Sequence, residues 1–221
     1  MDRRPEDYDA AQLTWLRDAL DESVRENPDG WRIVYLHQPL YTTIGDHSEN
    51  ADVVGVRENL IPLLRDRVHL VVAGHAHAFE WFQSTTLPTT GLVVTGGGGQ
   101  PWLWRSILDP RRFRHFQRHY RSLRDGGATE CVAAGNGPPA DDGATGALYH
   151  YVRVEVTPEA LTVIPIGVRR VGSGYRRESP MPVFHVPEFP AAEAGVRPAW
   201  NRRVLESIEI RRGQPPQPRW K

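Results

Sequence analysis

Val68-His69-Leu70-Val71-Val72-Ala73-Gly74-His75-Ala76-His77 is the stretch that decides how this chain folds. From Val68 to Ala73 it is apolar apart from His69, and it stops at a glycine. A run this short and continuous reads as a strand buried on both faces. Trp31-Arg32-Ile33-Val34-Tyr35-Leu36 has the same character and predicts a second short, largely buried strand. Between them, Val56, Leu60, Leu63 and Leu64 recur at helical spacing, with Pro62 the residue out of keeping. Strand, helix and strand, with about thirty residues between equivalent points, call for a parallel pair joined by a crossover helix.

Working outward, Asp9 and Gln12 are spaced as a capping box, and Leu13, Leu16, Leu20 and Val24 follow at helical intervals up to the turn residues Asn27-Pro28-Asp29-Gly30. A loop is expected from His37 to about Asp52, held extended near its start by Pro39. Beyond Gly91 the pattern changes. Leu92 to Thr95 reads as a strand running into Gly96 to Gly99, and Tyr149 to Val156 alternates as a half-buried strand. Thr157-Pro158-Glu159 turns the chain into a return strand from Leu161 to Val168. The Gly-, Ala-, Asp- and Pro-rich segment Asp125 to Gly146 predicts a loop, and the segment beyond Ser179 a peripheral extension. The fold class expected is α/β, a parallel βαβ unit leading into antiparallel strands. The expected division is a domain over 1–168 and a Pro/Arg-rich extension over 169–221.

Composition narrows the function. The 221 residues carry 27 basic and 27 acidic side chains, so no general attraction to nucleic acid or an anionic membrane is expected. Arg111 to Arg124, interleaved with Phe113, Phe116 and Tyr120, could touch anions, yet the overall balance favours a solvated basic helix that also carries His115 and His119. Cys131 is the only cysteine, which excludes an intramolecular disulfide and cysteine-cluster zinc sites; it reads as a small loop residue rather than a nucleophile. No apolar run approaches the roughly 20 residues that span a bilayer. Met1 to Asp9 lacks the apolar region of a signal peptide, so the chain as written is expected to be soluble and cytoplasmic, or secreted if its start lies further upstream.

The chemistry is carried by histidines. His37 follows one predicted strand and His75 sits just past the next, and parallel α/β sheets place ligands beyond the carboxyl ends of their strands. His77 adds a third imidazole. In extended backbone, residues two apart point to one side, about 6.6 Å apart. Imidazoles reach metals at about 2.0–2.1 Å and paired catalytic metals lie about 3.5–4 Å apart, so His75 and His77 could ligate neighbouring ions. Small Gly74 and Ala76 leave room for that approach. Gly96 to Gly99 could cradle phosphate, but with no Gly-Lys-Ser/Thr after it a flexible turn near the site is the better reading.

Gln12-Leu13-x-Trp15-Leu16, His37-x-Pro39-x-Tyr41 and Gly74-His75-x-His77-x-Phe79-Glu80, in this order, resemble the later motifs of calcineurin-like metallophosphoesterases, nearest the purple acid phosphatase branch. The resemblance covers roughly residues 9–168 and implies half of a two-sheet sandwich flanked by helices. It also implies hydrolysis of phosphomonoesters or phosphodiesters at two metal ions, divalent or trivalent, with Zn, Mn and Fe not distinguished. By the same resemblance, His37 and His75 would bind one ion and His77 the other. His47 would contact the substrate phosphate and assist the leaving group, though an ordinary loop histidine is the other reading. Glu80 would orient a ligand imidazole through its second nitrogen. Trp81 departs from the arginine common at that place.

The family's first motifs, an Asp-x-His, a Gly-Asp-x-x-Asp and a Gly-Asn-His, do not occur ahead of the Asp9 helix. With them go the carboxylate that bridges the metals and the first strands of the sheet, so this chain corresponds to the C-terminal half of the family's domain. Three neutral imidazoles cannot offset the four positive charges of two divalent ions. The alternative reading is a catalytically inactive remnant, a binding or scaffold protein holding at most one ion. The partner expected is a small phosphate ester, with no nucleic acid and no membrane, and the open sheet edge predicts self-association.

Overall fold

The computed structural model describes residues 10–44, 47, 50–98, 122–134, 149–171, 173–189 and 201–221. Helix α1 (Ala10–Glu26) precedes strand β1 (Ile33–Leu36), and helix α2 (Ala51–Leu64) leads into β2 (Leu70–Ala73). β3 (Phe79–Ser84) and β4 (Gly91–Thr95) follow. β1 and β2 are parallel, with Ile33 opposite Leu70 and Leu36 opposite Ala73. β4 joins β2 in parallel as well, and β3 then pairs antiparallel with β4. The crossover between β1 and β2 is α2, whose Val53, Val56, Ile61 and Leu64 are buried. Pro62 sits in its last turn, where the helix ends before a second carbonyl is disturbed.

The antiparallel part consists of β5 (Ala128–Ala133), β6 (Tyr149–Val156), β7 (Leu161–Val171), β8 (Gly174–Glu178), β9 (Met181–Val186), β10 (Asn201–Ile210) and β11 (Gln217–Trp220). Among the described residues the strands form one sheet in the order β1-β2-β4-β3-β5-β9-β10-β7-β6, with β11 paired to β10 and β8 to β7. The expected hairpin is present, Tyr149 opposite Val168 and Val156 opposite Leu161. Instead of two separate sheets, one hydrogen-bonded sheet curls over itself.

Two cores result, because both faces of the central strands are covered. Val71 of β2, Phe82 of β3, and Leu92 and Val94 of β4 pack with α2 through Val56, Ile61 and Leu64. Their alternate neighbours Leu70, Val72, Phe79, Trp81 and Val93 pack instead against Leu161, Val163, Leu205, Ile208 and Ile210 of the returning strands. This period of two is the pleat made visible. Trp81 is fully buried in that second core.

Three expectations need correction. Asp125 to Gly146 is not wholly loop: its described part contains β5, which hydrogen-bonds β3 on one side and β9 on the other. Its residues Ala-Thr-Glu-Cys-Val-Ala are short and mixed in polarity, so only their partners make them a strand. Cys131 accordingly lies buried in a strand, where burial, Glu80 and Glu130 push its thiol well above its ordinary pKa. The boundary expected at residue 168 falls inside β7, and beyond it β9 and β10 lie within the sheet, β10 between β9 and β7. The residues 111–121, with His115 and His119, and Asp9 lie outside the described residues.

β1 is the third correction, because it is not largely buried: it forms the edge of the sheet, with Tyr35 71% exposed. α1 packs loosely beside it. Of its periodic apolar residues only Leu20 is buried, and Trp15 is 65% exposed. Between α1 and β1 runs a groove of about 1120 Å³, lined by Leu13, Leu16, Ile33 and Val34 and reaching His37 and Asp52 at one end. The far end of β1 is tied down by Arg212, which stacks over Trp31 with its guanidinium carbon 4.1 Å from the ring centre and donates to the carbonyls of Asp29 and Pro158. Among the described residues no helix is long and apolar enough to cross a membrane.

Candidate active site

β1 and β2 end level with one another, so the residues just beyond them meet. His37 follows Leu36 directly, and Gly74 donates its N–H to the carbonyls of Leu36 and His37 at 3.3 and 3.1 Å. His75 comes next, with φ 56°, in the left-handed region that a residue bearing a Cβ rarely adopts. Ala76 N then bonds Gly74 O at 2.6 Å and Ala78 N bonds Ala76 O at 2.7 Å. The segment is therefore a pair of tight bends and not the extended backbone expected for it. This conformation costs of order 1 kcal/mol, and it swings the His75 ring between two other imidazoles.

His75 Nδ1 lies 3.3 Å from His37 Nε2, and its Nε2 lies 3.2 Å from His47 Nδ1. The rings meet edge to face, with centroids 5.2 and 5.0 Å apart. Asn50 Nδ2 is 3.4 Å from His47 Nδ1. Burial, then the neighbouring His47 and His37, lower the pKa of His75, while Asp52 opposes them. Asp52 and Asn50 were not singled out in the sequence; they stand at the start of α2, and only the fold brings that end toward the histidines. His77 adds a smaller push in the same direction as His37 and His47, which puts it within electrostatic reach of His75.

The 3.3 Å between His37 Nε2 and His75 Nδ1 is a hydrogen-bond distance, and it is also about the separation of two nitrogens bound to one tetrahedral ion at about 2.05 Å. His47 faces the opposite nitrogen of His75, so the three rings do not converge on one point. Among the described residues no group of three or more His, Cys, Asp or Glu is arranged to hold a metal ion.

The hydrogen-bond partners of Glu80 are threonines: Oε2 accepts from Thr42 Oγ1 at 2.7 Å, and Oε1 accepts from Thr43 N at 2.8 Å and from the Thr43 hydroxyl. The residue is fully buried, which pushes its carboxyl upward, against the opposing pull of Thr42 and Thr43.

Of the glycines singled out in the sequence, Gly96 and Gly97 are held more tightly than Gly74. A Cβ on Gly74 would make only ordinary contact, 3.8 Å from His37 O. On Gly96 it would lie 2.1 Å from Ala76 O, so the bare backbone at 96 lets β4's extension press against the His75–His77 bends. On Gly97 it would strike the His150 ring at 2.1 Å. His150 is buried, accepts from Gly97 N at 3.3 Å and meets Phe79 edge on. Its place in the alternation of β6 marked it as inward-facing, but nothing in the sequence paired it with the glycines.

No family model matches the chain. A probable purple acid phosphatase of Arabidopsis thaliana is 35% identical over 72 residues, 32% of this chain and 17% of its own length. The likeness is to the purple acid phosphatases. Two uncharacterized proteins of Mycobacterium tuberculosis are each 34% identical over 70 residues, 31% of this chain and 13% of their own length. Among solved structures, a purple acid phosphatase from yellow lupin (Lupinus luteus) seeds aligns with 72% of this chain and 26% of its own, at 17% identity and a TM-score of 0.44. The chain thus spans less than a fifth of the curated relatives it matches.

Proposed function

We propose that this chain is the C-terminal portion of a metal-dependent phosphate ester hydrolase. The observation that carries the reading is the 3.3 Å approach of His37 Nε2 to His75 Nδ1 at the ends of two parallel strands. In this reading His37 and His75 hold one ion, and His77 serves a second whose remaining ligands come from outside the described residues. Imidazole suits Zn and Fe better than Mn, and the donor set does not choose between the first two. When bound, such an ion lowers the pKa of water toward about 7 and offsets charge on the phosphoryl group.

His47 stands beside the ion-holding pair with Nδ1 turned to His75. In this reading His47 gives a proton to the departing alkoxide. The substrate class is a small phosphate monoester or diester, and a second copy of the chain is the proposed neighbour along β1. A second reading, a binding or scaffold protein holding at most one ion, has one observation in its favour: the three rings do not converge.

Hydrolysis of p-nitrophenyl phosphate separates the two. The chain alone should turn over negligibly. Joined to an upstream segment bearing Asp-x-His, Gly-Asp-x-x-Asp and Gly-Asn-His, it should gain metal-dependent activity that His75→Ala removes. Robust turnover by the chain alone that survives His75→Ala overturns the metal-dependent reading, and a joined protein that stays inactive favours the second.

A further inference from the structure

We propose that Glu80 is a positioning residue that fixes the loop residues Tyr41 to Ile44, which follow His37 and lead toward His47, acting through Thr42 and Thr43 and not on an imidazole. The segment from Leu40 to Ile44 is buried, although it is loop and not regular structure. Buried loop backbone needs partners, and β3 provides them from one face. Glu80 accepts from Thr42 Oγ1, Thr43 N and Thr43 Oγ1. Four residues further along β3, Ser84 Oγ lies 3.0 Å from the hydroxyl of Tyr41, which also donates to Gly126 O at 2.6 Å. Thr42 Oγ1 in turn accepts from Ile44 N at 3.1 Å, closing the turn toward His47.

The same strand therefore sets both limbs of the histidine cluster. β3 begins two residues after His77, and its Glu80 holds the loop that carries His37 at one end and His47 at the other. A buried carboxylate is costly unless its lone pairs are occupied. Phe79, Trp81 and Phe82 show what this strand holds where only packing is required. A carboxyl group stands at 80 among them because three donors from one loop need a single acceptor group of fixed shape.

The significance of the site, though not the geometry, rests on the hydrolase reading, so the test uses metal-free protein. The imidazoles of the whole chain are followed by long-range ¹H–¹⁵N spectra, with His69 and His185 as reporters of the rest of the fold. Glu80→Gln and Thr43→Val should each displace the signals of His37, His47 and His75 and leave His69 and His185 in place. Thr43→Ser, which keeps the hydroxyl donor, should leave all five unmoved. Signals unmoved in Thr43→Val overturn the proposal, and if Glu80→Gln alone then displaces His75 or His77, Glu80 acts on an imidazole directly. Should Glu80→Gln fail to fold, the contrast between Thr43→Val and Thr43→Ser still decides. Failure of the hydrolase reading would show as absent turnover in the protein joined to its upstream segment and leave these spectra unchanged.

Discussion

His75 Nδ1 sits 3.3 Å from His37 Nε2 although 38 residues separate them. Their meeting is set by register: Leu36 pairs with Ala73, so the chain leaves both strands at one level. The left-handed turn at His75 then aims its ring back across the sheet end.

Zinc titration of the purified chain should show no more than about one tightly held ion, because one pair of nitrogens has the right spacing. His75→Ala should weaken it by about 100-fold or more, since even partners one shell out cost 10–100-fold. Two equivalents in calorimetry, or an affinity that ignores His75→Ala, would contradict this assignment.

Gly97→Ala should destabilise the fold by about 1–3 kcal/mol, the usual range for overpacking a filled site, because its Cβ would lie 2.1 Å from His150. Gly98→Ala, with nothing nearer than His150 O at 3.6 Å, serves as the control. Urea midpoints for the two variants give the comparison, and equal midpoints would show that His150 can move aside.

Legibility in the sequence followed the strength of local pattern. β2 and its helix could be read because continuous apolar runs and a 3.6 period need no partner to be recognised. β1 was found too, but its burial was misjudged: Ile33 and Val34 look the same in an edge strand as in a central one. β5 and β9 carry mixed polarity or proline, as at Pro182, and are strands only through their neighbours. Within the site, His37 and His75 followed from strand ends, whereas His47 and Glu80 came from family resemblance alone. The contact between Glu80 and Thr43 joins residues whose pairing no local spacing encodes.

His69 predicts a pH dependence. Burial first, then Arg32 and Arg212, lower its pKa to about 4, and the neutral ring accepts from Arg32 N at 3.0 Å. A base whose folded pKa is depressed favours folding fully above its unfolded value, near 6.5, and progressively less as pH falls toward 4. The urea midpoint should therefore drop between pH 7 and 5, and His69→Asn should be flatter over that interval. A His69→Asn profile as steep as the parent's would assign the slope to other groups.

Tyr35 is 71% exposed on the open edge of β1. Unpaired edges recruit further strands, and a charge placed on them is the usual deterrent. Light scattering should find the chain self-associated, and Tyr35→Lys should move it toward monomer. A monodisperse parent would remove β1 as the contact.

β10 lies between β9 and β7, yet it is made after both. As the polypeptide leaves the ribosome, β6, β7 and β8 can form a meander, and β1 to β5 can wait with β9, but no hydrogen bond along the sheet path joins the two groups until residues 201–210 emerge. The nascent protein must keep a slot open from the end of β9 until β10 is made, with Leu161 and Val163 facing it unpaired. Pairings of such long sequence separation are slow and invite capture by other chains. Until β10 arrives, the exposed strands of that slot are where another chain could pair.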